Sequence, residues 1–194
     1  ARNAIDCALW DLEAKLSGRP VWQIAGLAEP RPLLSTLTLG AGEPGEMAQA
    51  ALALDPDAPI KVKLTGDLED DVARLRAIRQ ARPEAWLGVD ANQGYEIGDL
   101  ARLLPELEAV GVRLLEQPLR RGREADLDGF ASPIPIAADE SALTLADTES
   151  LPGRFDVVNI KLDKCGGLTE GLAIARRAKA IGLDVMVGNM MGTS

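Results

Sequence analysis

The 194-residue sequence contains no histidine. Every scheme in which an imidazole activates a serine or a cysteine is therefore closed to it. Acid or base chemistry has to come from lysine, carboxylate, tyrosine or thiol. A metal would have to be held by oxygen, which suits Mg²⁺, Mn²⁺ or Ca²⁺ rather than zinc. Cysteine is almost as scarce. Cys7 and Cys165 stand far apart, form no disulfide framework or zinc spacing, and read as small packing residues in a reducing, cytoplasmic setting. Aromatic residues make up only 3% of the chain, so Trp10, Trp22 and Trp86 are read as packing residues rather than substrate platforms. Met186, Met190 and Met191 are read as filler of the core and loops.

Long hydrophobic runs and basic stripes are missing as well. No apolar segment approaches the roughly 18 residues of a membrane span, and the opening ARNAIDCALWDLEAK is too charged for a secretory leader. The formal net charge of −9, with no cluster of Lys and Arg, argues against a nucleic-acid partner. Small substrates and cations fit it better. With 46% hydrophobic residues the chain can still bury a substantial core.

What is present is a rhythm. Ala4, Ile5, Ala8, Leu9, Leu12 and Leu16 share one helical face, and Gly18 followed by Pro20 ends that helix. From Leu33 onward, short apolar runs alternate with helical or turn segments. The strand candidates are residues 33–40, 59–64, 85–91, 112–118, 134–139, 156–162 and 183–188. Asp67 ahead of an acidic turn, and Thr144 with Asp147 three residues on, carry helix-start chemistry. Gly111 and Gly182 sit where helices hand over to strands. A spacing of about 25 residues between strands is that of βα units on a parallel sheet, and such units admit two architectures, an open doubly wound sheet or a closed (β/α)₈ barrel. Gly40, Gly42 and Gly45 match the bare G-x-G-x-x-G spacing of a dinucleotide turn, but Pro44 lies where a phosphate-facing amide belongs. That stretch reads as a turn.

The strand ends separate the two architectures. The second candidate reads IKVK, with Lys61 and Lys63 on one side of the strand; alone, it would pass for an edge strand protected by charge. The third ends with Asp90 and Asn92, the fourth with Glu116, the fifth with Asp139 and Glu140, and the sixth with Lys161, Asp163 and Lys164. In a barrel these ends ring one mouth. Steps of roughly 45° between strands would set the two lysine sites opposite each other, with the acids between them. Three carboxylates packed together repel one another, so a divalent cation is the simplest account of them. A cation flanked by lysines suits removal of a proton next to a carboxylate, because it stabilises the enediolate that results. One lysine would take the proton from one face and the other would return one to the opposite face, inverting the carbon. The neighbouring charge of Lys61 favours the neutral form that Lys63 needs as a base.

The motifs KVK (61–63), DAN (90–92), EQP (116–118), ADES (138–141) and NIKLDKCGG (159–167), in this order on successive strands, resemble the muconate-lactonizing-enzyme subgroup of the enolase superfamily. The resemblance implies Lys63 and Lys161 as the acid/base pair, Lys61 as an electrostatic helper, and Asp90, Glu116 and Asp139 as ligands of Mg²⁺, with Mn²⁺ as an alternative. Lys161 is preferred to Lys164 because it shares strand parity with Val157 and Asn159 and matches the family motif. NIKLDKCGGLTEGL and VMVGNMMGTS look most like the dipeptide epimerases of the L-Ala-D/L-Glu type. The expected substrate is a dipeptide or an N-acylated amino acid. The alternatives within the subgroup are N-acylamino acid racemisation, o-succinylbenzoate synthesis and cycloisomerisation. Outside it stands a catalytically inactive truncated barrel that serves as a structural or interaction piece.

Family members begin with a capping domain and end with an eighth strand that carries an Asp-x-Asp, whereas this chain is expected to lack both. Residues 1–32 then read as a helix and linker leading into the barrel, and 33–194 as a partial (β/α) barrel of about seven units. Exposed edges on its first and last strands would make it poorly stable alone. A homo-oligomer is expected of the full-length form.

Overall fold

A computed structural model of the chain describes residues 1–190. It opens with α1 (Arg2–Ser17) and α2 (Val21–Ile24). Alternation then runs through β1 (Leu37–Leu39), α3 (Pro44–Leu52), β2 (Ile60–Lys63), α4 (Leu68–Ala81), β3 (Leu87–Asp90), α5 (Ile97–Ala109) and β4 (Val112–Glu116). A 3₁₀ turn (Glu124–Leu127) leads to β5 (Ile136–Ala138), and α6 (Leu145–Thr148), β6 (Val157–Lys161), α7 (Leu162–Cys165), α8 (Leu168–Ala180) and β7 (Asp184–Gly188) follow. All seven expected strands are present, in an incomplete (β/α) barrel. The chain divides into two compact units, one of Leu34–Ser141 with Leu151–Val157, the other of Ala1–Leu33, Ala142–Ser150 and Val158–Ser194. Of the sequence features singled out above, Met191 lies outside the described residues.

In the first of these units β1 to β5 lie side by side in chain order, every neighbouring pair parallel. Such a sheet needs helices over it, and the sequence supplies them. Leu100, Leu103, Leu104 and Leu107 recur along α5 at helical spacing and are all buried, as are Leu75 and Ile78 of α4. On β2, Ile60 and Val62 are fully buried while Lys61 and Lys63 take the other face. Because β2 is paired on both sides, the edge-strand account of its lysines does not hold. The bend containing Gly40 and Gly42 enters α3 at Pro44.

Helix-start chemistry is where the sequence put it. Asp67 caps α4 by accepting from the Asp70 amide at 3.0 Å, and Thr144 and Asp147 form a reciprocal capping box on α6. One acid of the α4 first turn does something more. Asp71, fully buried, accepts from the amides of Thr65 (2.9 Å) and Gly66 (3.0 Å), the Tyr95 hydroxyl (2.6 Å) and Arg74 Nη1 (2.8 Å). It ties the turn after β2 to the loop after β3. The two backbones meet so closely that a Cβ on Gly66, at φ +90°, would lie 2.6 Å from the Gly94 carbonyl oxygen. Burial and the bond to Asp71 push the Tyr95 hydroxyl above its ordinary range, so it stays a donor.

In the other unit, α1 departs from expectation. Its apolar face is as read, yet Ile5, Leu9, Leu12 and Leu16 are 51 to 80% exposed, and the helix docks by its polar residues instead. Asp6 accepts from the Thr169 amide at 3.0 Å, Trp10 Nε1 donates to Thr169 Oγ1 at 2.9 Å, and Asn3 bonds Asp163 at 3.0 Å. The reason lies at the start of α8. Its first residue follows Gly167, which has no side chain to cap the free amides, and Asp6 supplies the missing acceptor. Trp10 is thus a hydrogen-bonding residue rather than plain packing.

Replacing Asp71 with alanine should lower stability by about 3 to 5 kcal/mol, since it leaves buried donors without their anion. Urea unfolding of the variant beside the unsubstituted chain measures this.

Candidate active site

Parallel pairing decides which side chains meet. Residues in register on adjacent strands share a face, and residues two apart on one strand share it too. Lys63 is in register with Asp90, Asp90 with Glu116, and Glu116 with Ala137. One row therefore carries Lys63, Asp90 and Glu116 across three strands, with Lys61 two residues before Lys63 and Asp139 two residues beyond Ala137.

The acids of this row are sealed off from water: Asp90 and Glu116 are 0% exposed and Asp139 is 1% exposed. Lys63 Nζ donates to Asp90 Oδ2 at 2.7 Å. Lys61 Nζ donates to Glu116 Oε2 at 2.9 Å and stands 3.5 Å from Asp90 Oδ2. The Asp90 Oδ1 atom accepts the Asn92 amide at 3.1 Å, a bond made possible by the left-handed turn of Asn92 (φ 45°) and Gln93 (φ 65°). Burial, reinforced by the Asp90 charge and opposed by Lys61, pushes the Glu116 carboxyl above its ordinary range. Asp139 adds to that push.

Among the described residues no three Cys, Asp or Glu side chains form a ready-made metal cage. The two ammonium groups lie on the carboxylates instead. The donor set nevertheless suits a hard divalent cation, being made of buried carboxylate oxygens. Glu140, next in chain to Asp139, has a buried Oε2 atom that accepts no hydrogen bond among the described residues. An anionic oxygen in that condition is one a cation would satisfy.

Lys161 ends β6 in the other unit and is 7% exposed. Asn159, two residues earlier, shares its face, in keeping with the parity argument. Lys164, its rival, lies in α7, a single turn of helix. Gly188 of β7 lies against this pair: a Cβ there would come 2.9 Å from Lys161 Cε and 2.8 Å from Asn159 Oδ1. Cys165 is buried, which pushes its thiol up and makes it a poor nucleophile.

Residues that reading by sequence left without a role are Asp71, Tyr95, Gln117 and Gly188. Only Gln117 carried a signal, as part of the EQP motif. The others act through contacts between elements distant in the chain.

A partial barrel whose strand ends present buried acids and lysines defines a class of (β/α)-barrel proteins with a charged mouth. The chain belongs to the enolase superfamily: residues 46–194 match the family described as enolase C-terminal domain-like. Residues 1–26 match the family described as mandelate racemase / muconate lactonizing enzyme, N-terminal domain. The chain is 45% identical over 194 residues to an N-acetyl-D-glutamate racemase of a Pseudoalteromonas species, covering 100% of this chain and 61% of that protein. It is 43% identical over 196 residues to the L-Ala-D/L-Glu epimerase of Escherichia coli K12, covering 100% and 60%. A dipeptide epimerase from Cytophaga hutchinsonii, solved with Mg and the dipeptide D-Ala-L-Val, superposes with TM-score 0.93 at 34% identity, over 97% of this chain and 53% of that one. The chain thus spans about three fifths of the length of the curated relatives it matches.

Gly188→Ala should lower the unfolding free energy by about 1 to 3 kcal/mol, because the added methyl crowds the buried Asn159 and Lys161 side chains. A crystal structure of the variant should show Lys161 Nζ displaced from its position in the unsubstituted chain.

Proposed function

We propose that the protein is an isomerase that inverts the carbon next to a carboxylate in an N-acylated amino acid, most closely a dipeptide of the L-Ala-D/L-Glu type. The observation that carries this reading is the row in which half-buried Lys63 meets the buried Asp90 and Glu116, with Lys61 and the buried Asp139 close by. An acid row beside lysines fits a reaction in which a proton leaves a carbon and negative charge builds on carboxylate oxygens.

Asp90, Glu116 and Asp139 are the proposed ligands of Mg²⁺, in line with the Mg named in the Cytophaga hutchinsonii structure. When bound, the ion supplies positive charge to the substrate carboxylate as that group gains electron density. Lys63, the proposed base, takes the proton from the substrate carbon as a neutral amine. The C–H electron pair passes into the carboxylate, and Lys63 becomes an ammonium. Lys161, as an ammonium, gives a proton to the opposite face and becomes the neutral amine. The product is the mirror configuration, and the two lysines have exchanged protonation states. Lys61, hydrogen-bonded to Glu116, adds positive charge there and opposes the rise of its carboxyl. Cytoplasmic location is part of the proposal, and the two free thiols suit it.

A second reading is racemisation of N-acetylglutamate, favoured by the 45% identity to the N-acetyl-D-glutamate racemase. Both candidate substrates are glutamates acylated on nitrogen, so the acid/base step is common to them. They differ in whether the acyl group carries an ammonium.

Incubation with L-Ala-L-Glu and Mg²⁺ in D₂O should place deuterium on the glutamate α-carbon, read by NMR or mass spectrometry. N-acetyl-L-glutamate in a parallel reaction decides between the two readings. Lys63→Ala and Lys161→Ala should each lower turnover about 10²- to 10⁴-fold, the usual contribution of a placed acid or base. No exchange with either substrate rejects the proposal, and unaltered turnover in either variant rejects the two-lysine assignment.

A further inference from the structure

Gln117 follows Glu116 directly and is fully buried, with its backbone at φ 38°. Side-chain-bearing residues seldom adopt that left-handed conformation, and they keep it only where surrounding contacts impose it. Here the contacts come from its own amide. Nε2 donates to the Leu119 carbonyl at 2.9 Å and to Ser141 Oγ at 2.8 Å. Oε1 accepts from the Asp139 amide at 2.9 Å and from the Ser141 amide at 3.1 Å. Both donors and both acceptor positions of the side chain are used. Its backbone is held as well, donating to the Ala137 carbonyl and accepting from the Gln93 amide, each at 2.8 Å.

The pairing of β4 with β5 ends at Glu116 and Ala137. Asp139 lies beyond it. The Gln117 side chain continues across the gap, binding the amide of Asp139 while its own backbone carries Glu116. Ser141 extends the clamp, donating from Oγ to Glu124 Oε1 at 2.6 Å, and that oxygen also accepts the Gly122 amide at 2.9 Å. No other side-chain type supplies this pattern at this length. Methionine would fill the volume without the bonds, and an ionised glutamate would set a negative oxygen against the Leu119 carbonyl.

We propose that Gln117 is a positioning residue that sets the spacing of Glu116 and Asp139 for a divalent cation, with Ser141 as its support. This rests on the metal assignment made above. It also explains why glutamine follows glutamate in the EQP motif and why serine closes ADES, two positions that the chemistry of the acids leaves unexplained.

The test is calorimetric titration of Mg²⁺ alone into the 194-residue chain and its variants, each held at a temperature where circular dichroism shows it folded. Gln117→Met should weaken Mg²⁺ binding about tenfold or more, the usual result of removing a group that orients a metal ligand. Leu103→Ala, which empties part of the α5 core, serves as the control for lost stability and should bind within about twofold of the unsubstituted chain. If Gln117→Met does not fold, Ser141→Ala removes one partner of the amide and should weaken binding about threefold. Unchanged affinity in Gln117→Met overturns the proposal, as does unchanged affinity in Ser141→Ala where that variant stands in. An equal loss in Leu103→Ala also overturns it, because the effect would then be general. Failure of the unsubstituted chain to bind Mg²⁺ rejects the metal assignment and this inference with it. Binding that Asp139→Ala abolishes and Gln117→Met retains rejects this inference alone.

Discussion

Parallel register is the constraint on which the charged row depends. Once Lys63 is set against Asp90 and Asp90 against Glu116, the pleat leaves no freedom over which face their side chains share. Two carboxylates on neighbouring strands must then be buried side by side, an arrangement that desolvation and repulsion both oppose. Lys61 and Lys63 offset it, and the raised carboxyl of Glu116 records that they do so incompletely. A one-residue slip of any strand would send its charges into the apolar layer beneath the helices. The packing of Ile60, Val62, Leu75 and Leu100 therefore holds the charged row on the opposite face.

Charges held this way need backbones that do not shift, and two buried polar side chains provide for that. Asp71 fixes the turn just after Lys63 and, through Tyr95, the loop just after Asn92. Gln117 fixes the step from β4 to β5. Each gathers bonds from two loops at once, so the strand ends are joined to one another where the sheet ladder stops. Loop backbone at such a place would otherwise be the softest part of the unit.

Much of the fold was legible in sequence because βα units announce themselves by period and by punctuation. Asp67, Thr144, Gly18, Gly111 and Gly182 stand at the helix boundaries where capping and left-handed turns require them. The charged row could be read because alternation along IKVK is strictly local. What escaped was non-local. Asp71 looked like any acid in a first turn, favourable to the helix dipole and otherwise solvated, until Thr65, Gly66 and Tyr95 were brought around it. Likewise, the apolar stripe of α1 predicted burial, but α8 lacked a cap and drew in the polar face that carries Asp6. Amphipathic pattern says which residues could be buried; it does not say what else competes for the helix.

The charges at the strand ends weigh on the fold. Asp90 and Glu116 are fully shielded from water and take their counter-charge from Lys63 and Lys61. Replacing the cluster with apolar residues of the same volume would by general experience cost no stability and could add some. Stability of the fold therefore does not account for the charges at the strand ends.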